Sequence, residues 1–355
     1  MDRSKLDRPV FDGPGFDRPG FDRRGMLNAM ARAGALTGAG LAMGGGLGAF
    51  SAQAEVLPPG GDGGIVRLWP GAAPGMPDGG VQDEFVNRNK GGGPDDIAWP
   101  HVADPVMTVT PSPNPSGAAM LLIPGGGYAR VAVGRKSMPI ALWFASLGVT
   151  TFTLRYRLAH DGWAAGPDTP LQDAQRAMRL IRSWASHYGY DAENVGAMGF
   201  SAGGHLCGML STRSGDKTYD AVDAADGLSA RPKVSAMLFP VVSMMAPLAH
   251  AQSRTELLGE NPSAELEQRY SLERNIPADC PPIMLGQAAD DEVVPVGNSI
   301  AMFQGLKAAQ VPSELFIIEE GGHGAPMLTD DGDALLWLSR FSHFAPRHGL
   351  PMTSV

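Results

Sequence analysis

Gly199-Phe200-Ser201-Ala202-Gly203 decides the reading of this chain. Before it runs Val195–Phe200, a short apolar stretch that reads as a buried strand, and after it Ala202–Ser211 reads as a helix. A serine between two glycines at such a junction predicts a sharp strand-to-helix turn. The backbone is strained there, and only small neighbours clear it. The Ser201 hydroxyl then stands at a helix N-terminus, where amide dipoles favour developing negative charge. The pentapeptide alone occurs often by chance, so the flanking strand and helix carry the weight.

Outward from that turn, short apolar runs alternate with amphipathic stretches. Ala118–Ile123, Val149–Tyr156, Val234–Phe239, Pro282–Leu285 and Glu314–Ile318 read as further strands, mostly buried on both faces. Helices fit Pro139–Leu147, Asn298–Ala309 and Asp331–Phe344. Another starts at Asp168-Thr169-Pro170, places Leu171, Ala174, Met178 and Ile181 on one side, and ends near Gly189. This alternation predicts an α/β fold with a mostly parallel sheet and helices on both faces. The polar stretch 243–279 is too long for a simple connection and reads as a small cap over the sheet's carboxyl edge.

Three more places carry chemistry. Pro124-Gly125-Gly126-Gly127-Tyr128 follows the Ala118–Ile123 strand, and its glycines let backbone N–H groups turn toward a reacting carbonyl. It lacks the G-x-G-x-x-G of a dinucleotide loop. His323, in Gly321-Gly322-His323-Gly324, sits in a flexible loop from which it can act as general base toward Ser201. Asp290-Asp291 stands between them in the order Ser, Asp, His, as the candidate acid that orients the imidazole. His205, one turn into the helix after Ser201, reads as a packing or pocket residue.

Composition removes several classes. The chain has 355 residues, 28 Lys+Arg against 37 Asp+Glu, 43% apolar and 18% charged residues. That is too apolar to be disordered, and a net charge of −9 argues against nucleic acid or an anionic membrane as partner. Cys207 and Cys280 cannot build a disulfide scaffold, and no C-x-x-C or H-E-x-x-H spacing offers zinc ligands.

Residues 1–54 read as an export signal with a long disordered leader. Asp22-Arg23-Arg24-Gly25-Met26-Leu27-Asn28 resembles a twin-arginine motif. A glycine-rich apolar segment follows from Ala33 to Phe50, and Ala52-Gln53-Ala54 is a small-x-small cleavage site. The segment falls short of the roughly 20 well-packed apolar residues of a membrane span. The expectation is a single domain over 55–355, periplasmic or secreted, handled by the twin-arginine export machinery. Such substrates fold before export, so the cysteines are expected as free buried thiols.

Together, Pro124–Tyr128, Asp173-Ala174-Gln175-Arg176-Ala177, Gly199–His205, Asp290–Pro295 and Gly321–Gly324 resemble an α/β-hydrolase. More narrowly, the chain resembles the bacterial acetylxylan and feruloyl esterases, a group related to dienelactone hydrolases, which carry Cys where Ser201 stands. The resemblance implies a serine esterase for O-acyl, chiefly acetyl, esters of plant-type polysaccharide or oligosaccharide, without metal or organic cofactor. It assigns Ser201 as nucleophile, His323 as base and Asp291 as acid, because the family's acid is commonly followed by two residues and then Val-Pro. Gly126, Gly127 and Ala202 form the oxyanion hole, with Tyr128 and His205 in substrate contact. Asp290 is left to cap its own turn or the next helix. Rival readings are a general short-chain carboxylesterase, a lipase-like or lactone hydrolase, a serine peptidase, and an inactive hydrolase-fold binding protein. Relatives labelled xylanase do not make this chain a glycosidase, which needs two carboxylates flanking a sugar bond.

Overall fold

Ala118–Ile123 holds six residues without one polar side chain, and all six are buried. Only a central strand covered on both faces meets that demand. In the computed structural model, which describes residues 64–89, 96–133, 137–324 and 336–353, this run is β5 of an eight-stranded sheet. In chain order the strands are β1 (Ile65–Arg67), β2 (Glu84–Asn87), β3 (Ile97–His101), β4 (Val106–Thr110), β5, β6 (Val149–Arg155), β7 (Val195–Phe200), β8 (Ser235–Leu238), β9 (Ile283–Ala288) and β10 (Ser313–Ile318). The main sheet runs β1-β4-β6-β5-β7-β8-β9-β10, while β2 and β3 pair separately as an antiparallel hairpin. From β6 to β10 every pairing is parallel; β4 and β1 join antiparallel at one edge.

The helices are α1 (Ser137–Ser146), α2 (Thr169–Ser183), α3 (Ala185–Tyr188), α4 (Ala202–Thr212), α5 (Ala251–Leu258), α6 (Ala264–Tyr270), α7 (Gly297–Ala308) and α8 (Leu336–Arg347). Alternate residues of β5 feed two cores, as a period of two requires. Ala119, Leu121 and Ile123 join Leu171 and Met178 of α2, Leu206 of α4 and Met302 of α7. Ala118, Met120 and Leu122 face the other way, to Ile140 and Phe144 of α1 and Trp337 and Phe341 of α8. The sheet is therefore covered on both faces.

Departures from the expected elements have local causes. The helix read as running to Gly189 breaks at Trp184 into α2 and α3, and Gly189 ends it at φ 75°. Neither β1, β4 nor the β2–β3 hairpin was foreseen. Each has only three to five residues, and β3 contains Pro100. The segment 243–279 folds between β8 and β9 as α5, α6 and one 3-10 turn at Leu272–Arg274. Within the described residues no helix is long and apolar enough to cross a membrane. The export signal expected over residues 1–54 lies outside the described residues.

One buried ion pair locks the end of β6 to α2. Asp173 accepts from Arg157 backbone N at 2.8 Å, from its Nε at 3.0 Å and Nη2 at 2.8 Å, and from Trp69 Nε1 at 2.9 Å. Both side chains are wholly buried, so every acceptor position must be filled, and it is. Cys207 and Cys280 are free and buried. Burial pushes both thiols up to about 12, which keeps them protonated and unreactive.

Candidate active site

Parallel strands point the same way, so the loops leaving β5, β7, β9 and β10 open at one edge of the sheet. Each of the four sequence motifs sits in one of those loops. Ser201 stands between β7 and α4 with φ 56° and ψ −123°, in the left-handed half of backbone space. A β-carbon on Gly199 would lie 2.1 Å from Gly203 O, and one on Gly203 would lie 2.2 Å from Ile123 O. Only glycine fits at either place. The turn is held by Ser201 N–H donating to Leu238 O at 3.0 Å and by Ser201 O accepting from Val241 N at 3.1 Å.

The structure brings the three expected polar side chains into a line. Ser201 Oγ lies 2.9 Å from His323 Nε2, and His323 Nδ1 lies 2.9 Å from Asp291 Oδ2. Carboxylate oxygen only accepts, so Nδ1 carries the proton and Nε2 is left to accept from the serine hydroxyl. Asp291 is fixed in turn: its Oδ1 accepts from Val293 N at 3.0 Å and Val294 N at 2.9 Å, and its Oδ2 from Gln287 Nε2 at 3.1 Å. Gln287 is itself held by Ser299 Oγ at 2.6 Å. Sequence reasoning missed Gln287 and Ser299, since one points inward from β9 and the other from α7, with no motif to mark them.

Gly126 and Gly127 sit at φ 137° and 67°. Among the described residues, the N–H groups of Gly126, Gly127 and Ala202 donate to no protein acceptor. They are free donors beside Ser201, as an oxyanion hole requires. A β-carbon on Gly126 would collide with Arg130 O at 2.0 Å, so the close approach that shapes this loop excludes any other residue.

The expected substrate contact of Tyr128 is corrected by the structure, and for His205 the packing reading holds in place of substrate contact. Both are fully buried, and neither lines the cleft. Tyr128 O–H donates to His205 Nδ1 at 2.9 Å, and His205 Nε2–H donates to Tyr270 O at 2.7 Å. Tyr156 O–H also reaches Pro124 O at 3.0 Å. These bonds pin the glycine loop to α4 and to the end of α6, so both residues hold the loop rather than the substrate.

Asp290 is corrected as well. It caps neither its own turn nor the next helix. Its Oδ1 accepts from Gly322 N at 2.8 Å and its Oδ2 from Gly321 N at 3.1 Å, gripping the loop that carries His323. Those two N–H bonds hold its carboxyl below the usual range.

The cleft above Ser201 has a volume of about 330 Å³. Phe200, Phe239, Val293 and Ile140 give it apolar walls, while Arg130, Gln252, His250 and an Arg88–Asp96 pair give polar ones. Burial, then the neighbouring His323, lowers the pKa of His250. His250 is also occupied, with Nδ1 2.8 Å from Ser253 Oγ.

Two predictions follow from this geometry. Ser201→Ala cuts kcat on the order of 10⁶-fold and Asp291→Asn about 10⁴-fold. Asp290→Ala, which frees the His323 loop, costs about 10- to 100-fold in kcat with little change in KM. Steady-state kinetics on the three purified variants check this ranking, and an Asp290→Ala loss equal to that of Asp291→Asn reassigns the acid.

The second concerns pH. Burial holds the His205 imidazole down at about 4, against an ordinary 6.5. Between those values the unfolded chain takes up a proton that the folded chain refuses. Stability therefore falls as pH drops from 6.5 toward 4, by on the order of 3 kcal/mol from this residue, and is flat above 6.5. His205→Gln should flatten that slope relative to the wild type in urea unfolding at a series of pH values. Parallel slopes would remove His205 from the acid response.

Comparison with known proteins places this geometry in a family. The BD-FAE family model matches residues 110–306, which takes in the glycine loop, Ser201 and Asp291 but stops short of His323. The chain is 34% identical over 212 residues to endo-1,4-beta-xylanase B of Butyrivibrio fibrisolvens, covering 60% of this chain and 33% of that protein. It is 32% identical over 216 residues to an acetylxylan esterase of Xylanibacter ruminicola, covering 59% and 42%. It thus spans less than half the length of either relative. Among solved structures, an acetyl ester-xyloside bifunctional hydrolase from Caldicellulosiruptor lactoaceticus superposes with TM-score 0.60 at 30% identity, over 80% of this chain and 94% of that one. A carboxylesterase from Lactobacillus plantarum, at 19% identity, TM-score 0.56 and coverage of 77% and 99%, shares the fold. The fold is that of the α/β-hydrolases, and the chain belongs to the BD-FAE family.

Proposed function

We propose that the chain is a serine esterase that hydrolyses O-acyl esters, chiefly acetyl esters of plant-type polysaccharide or oligosaccharide, through a covalent acyl-enzyme. The observation that carries this is the Ser201–His323–Asp291 line, 2.9 Å at each step, beside three free N–H groups. Ser201 Oγ attacks the ester carbonyl carbon while His323 Nε2 takes its proton. The carbonyl oxygen becomes an oxyanion held by Gly126, Gly127 and Ala202 N–H, each donor contributing about 3 kcal/mol in the transition state. The intermediate collapses, the alcohol leaves with the proton from His323, and the acyl group stays on Ser201. Water, deprotonated by His323, then releases the acid and restores the hydroxyl. These steps call for no metal or organic cofactor.

The cleft supports a small acyl group and a polar alcohol. Phe239 and Val293 offer apolar contact close to Ser201, while Arg130 and Gln252 present donors suited to sugar hydroxyls. Acetyl ester and xylan chemistry in the names of the relatives points the same way. Glycoside cleavage, suggested by the xylanase name of one relative, has weaker support. Among the described residues that line the cleft the one carboxylate is Asp96, and Arg88 already holds it at 2.7 Å. Acetate release from acetylated xylan should be lost in Ser201→Ala, and p-nitrophenyl acetate should outrun the decanoate ester by at least about tenfold. Turnover of aryl esters without acetate release from the polymer would leave a general carboxylesterase, and equal rates on decanoate would point to a lipase-like enzyme.

We further propose export by the twin-arginine route, supported by Arg23-Arg24, the apolar segment to Phe50 and Ala52-Gln53-Ala54. Periplasmic protein should then begin at Glu55, and the paired Arg23→Lys and Arg24→Lys change should hold the precursor in the cytoplasm. Membrane-bound material that still starts at Met1 would overturn it.

A further inference from the structure

We propose that His101, His160 and Asp161 form a binding site for a divalent transition metal, zinc by fit, that braces the rim of the catalytic cleft. His101 ends β3, and the other two lie in the 3-10 turn Ala159–Asp161 after β6. His101 Nδ1 is 2.6 Å and His160 Nε2 is 3.4 Å from the same oxygen, Asp161 Oδ1. One donor atom from each of the three lies within 4.8 Å of the others. Bonds of about 2.0–2.1 Å in a tetrahedral zinc site set neighbouring donors about 3.3 Å apart, so modest spreading of the His101–Asp161 contact admits the ion. The Pro100 carbonyl oxygen now accepts from His160 Nε2 at 3.1 Å, a bond that the ion would replace, and water would complete the coordination.

What surrounds the three donors fits the same reading. A metal-bound imidazole needs its other nitrogen protonated and, as a rule, facing a carboxylate. His160 Nδ1 lies 3.2 Å from Glu256 Oε2, and His101 Nε2 lies 4.0 Å from Glu84 Oε2. The Asp161 side chain is only 3% exposed, whereas His101 is 44% exposed and borders a groove of about 370 Å³ that provides an entry path. Two imidazoles and one carboxylate suit zinc; calcium and magnesium ask for oxygen alone.

The placement gives the ion a structural task. Arg88 and Asp96, on the arms of the β2–β3 hairpin, and Gln252, on α5, line the catalytic cleft, and α5 packs against the Ala159–Asp161 turn. A metal would tie the hairpin to that turn, with Glu256 of α5 bonded to one ligand. It takes no part at Ser201, so this inference stands apart from the esterase reading.

The test uses the full chain without a histidine tag, stripped with EDTA and titrated with zinc chloride in a calorimeter. One zinc per chain is expected, with Tm raised by about 5 °C at saturation and no response to calcium or magnesium. His101→Ala and His160→Ala should each weaken zinc at least about 100-fold, and Glu256→Gln about tenfold, with unchanged circular dichroism. Cobalt in place of zinc should show the visible bands of a tetrahedral site, and His323→Ala should keep them. A stripped chain that takes up no stoichiometric zinc, or uptake untouched by His101→Ala and His160→Ala, overturns the proposal. So does uptake lost in His323→Ala, which would place the ion at the catalytic histidine.

Discussion

The backbone at Ser201 is the constraint on which the rest of the site depends. A residue with a β-carbon at φ 56° costs on the order of 1–3 kcal/mol, and it persists only where its surroundings leave no alternative. Here Gly199 and Gly203 let β7 and α4 close to a distance that no side chain would permit, and Leu238 and Val241 hold the turn from the next strand and its loop. The strain lifts the hydroxyl off the sheet edge, toward His323 on one side and the glycine loop on the other. Relaxing the turn would lose both at once.

Precision at the other side of the serine comes from a chain of fixed acceptors. Ser299 holds Gln287, Gln287 and two backbone amides hold Asp291, and Asp291 holds His323. His323 rides on a loop whose glycines at 321, 322 and 324 all have positive φ, which leaves the backbone little stiffness of its own. Asp290 supplies what the glycines lack by binding two of their N–H groups. The adjacent aspartates thus act on one histidine through different parts of it, Asp291 on the ring and Asp290 on the backbone beneath. A buried carboxylate suits the first task, since it works through charge. An exposed one suffices for the second, which is geometry.

Much of this was legible in the sequence wherever the cause is local. The strands β5 and β7 agree with their sequence readings to the residue, because an unbroken apolar run followed by a glycine-rich turn has few other uses. The four motif loops were found for the same reason, and the Ser, Asp, His order placed them at one edge. What escaped depends on partners far along the chain. Tyr128 and His205 are 77 residues apart, and nothing at either position announces that they bond to one another rather than to a ligand. Asp290 is left with a capping role once the Val-Pro spacing picks Asp291, yet its acceptors serve amides 31 and 32 residues away. His101 and the His160-Asp161 pair have no metal-ligand spacing at all, and only the hairpin and the 3-10 turn bring them together. The edge strand β1 and its neighbour β4 escape the sequence because three to five residues of mixed polarity carry no readable period.

The same bonding singles out one of the three histidines near Ser201 as the proposed base. His205 follows Ser201 by a single helical turn, yet both its nitrogens are engaged, Nδ1 by the Tyr128 hydroxyl and Nε2 by the Tyr270 carbonyl. Burial keeps it neutral, so it adds no charge beneath the nucleophile. His250 lines the cleft but turns Nδ1 to Ser253, and burial together with His323 opposes its protonation. His323 alone has one nitrogen on a buried carboxylate and the other on the serine hydroxyl. In the proposed mechanism the positive charge on His323 forms against Asp291, and neither His205 nor His250 is hydrogen-bonded to that carboxylate. Charge separation on proton transfer is therefore confined to one pair, which is where a low-dielectric site stabilises it most.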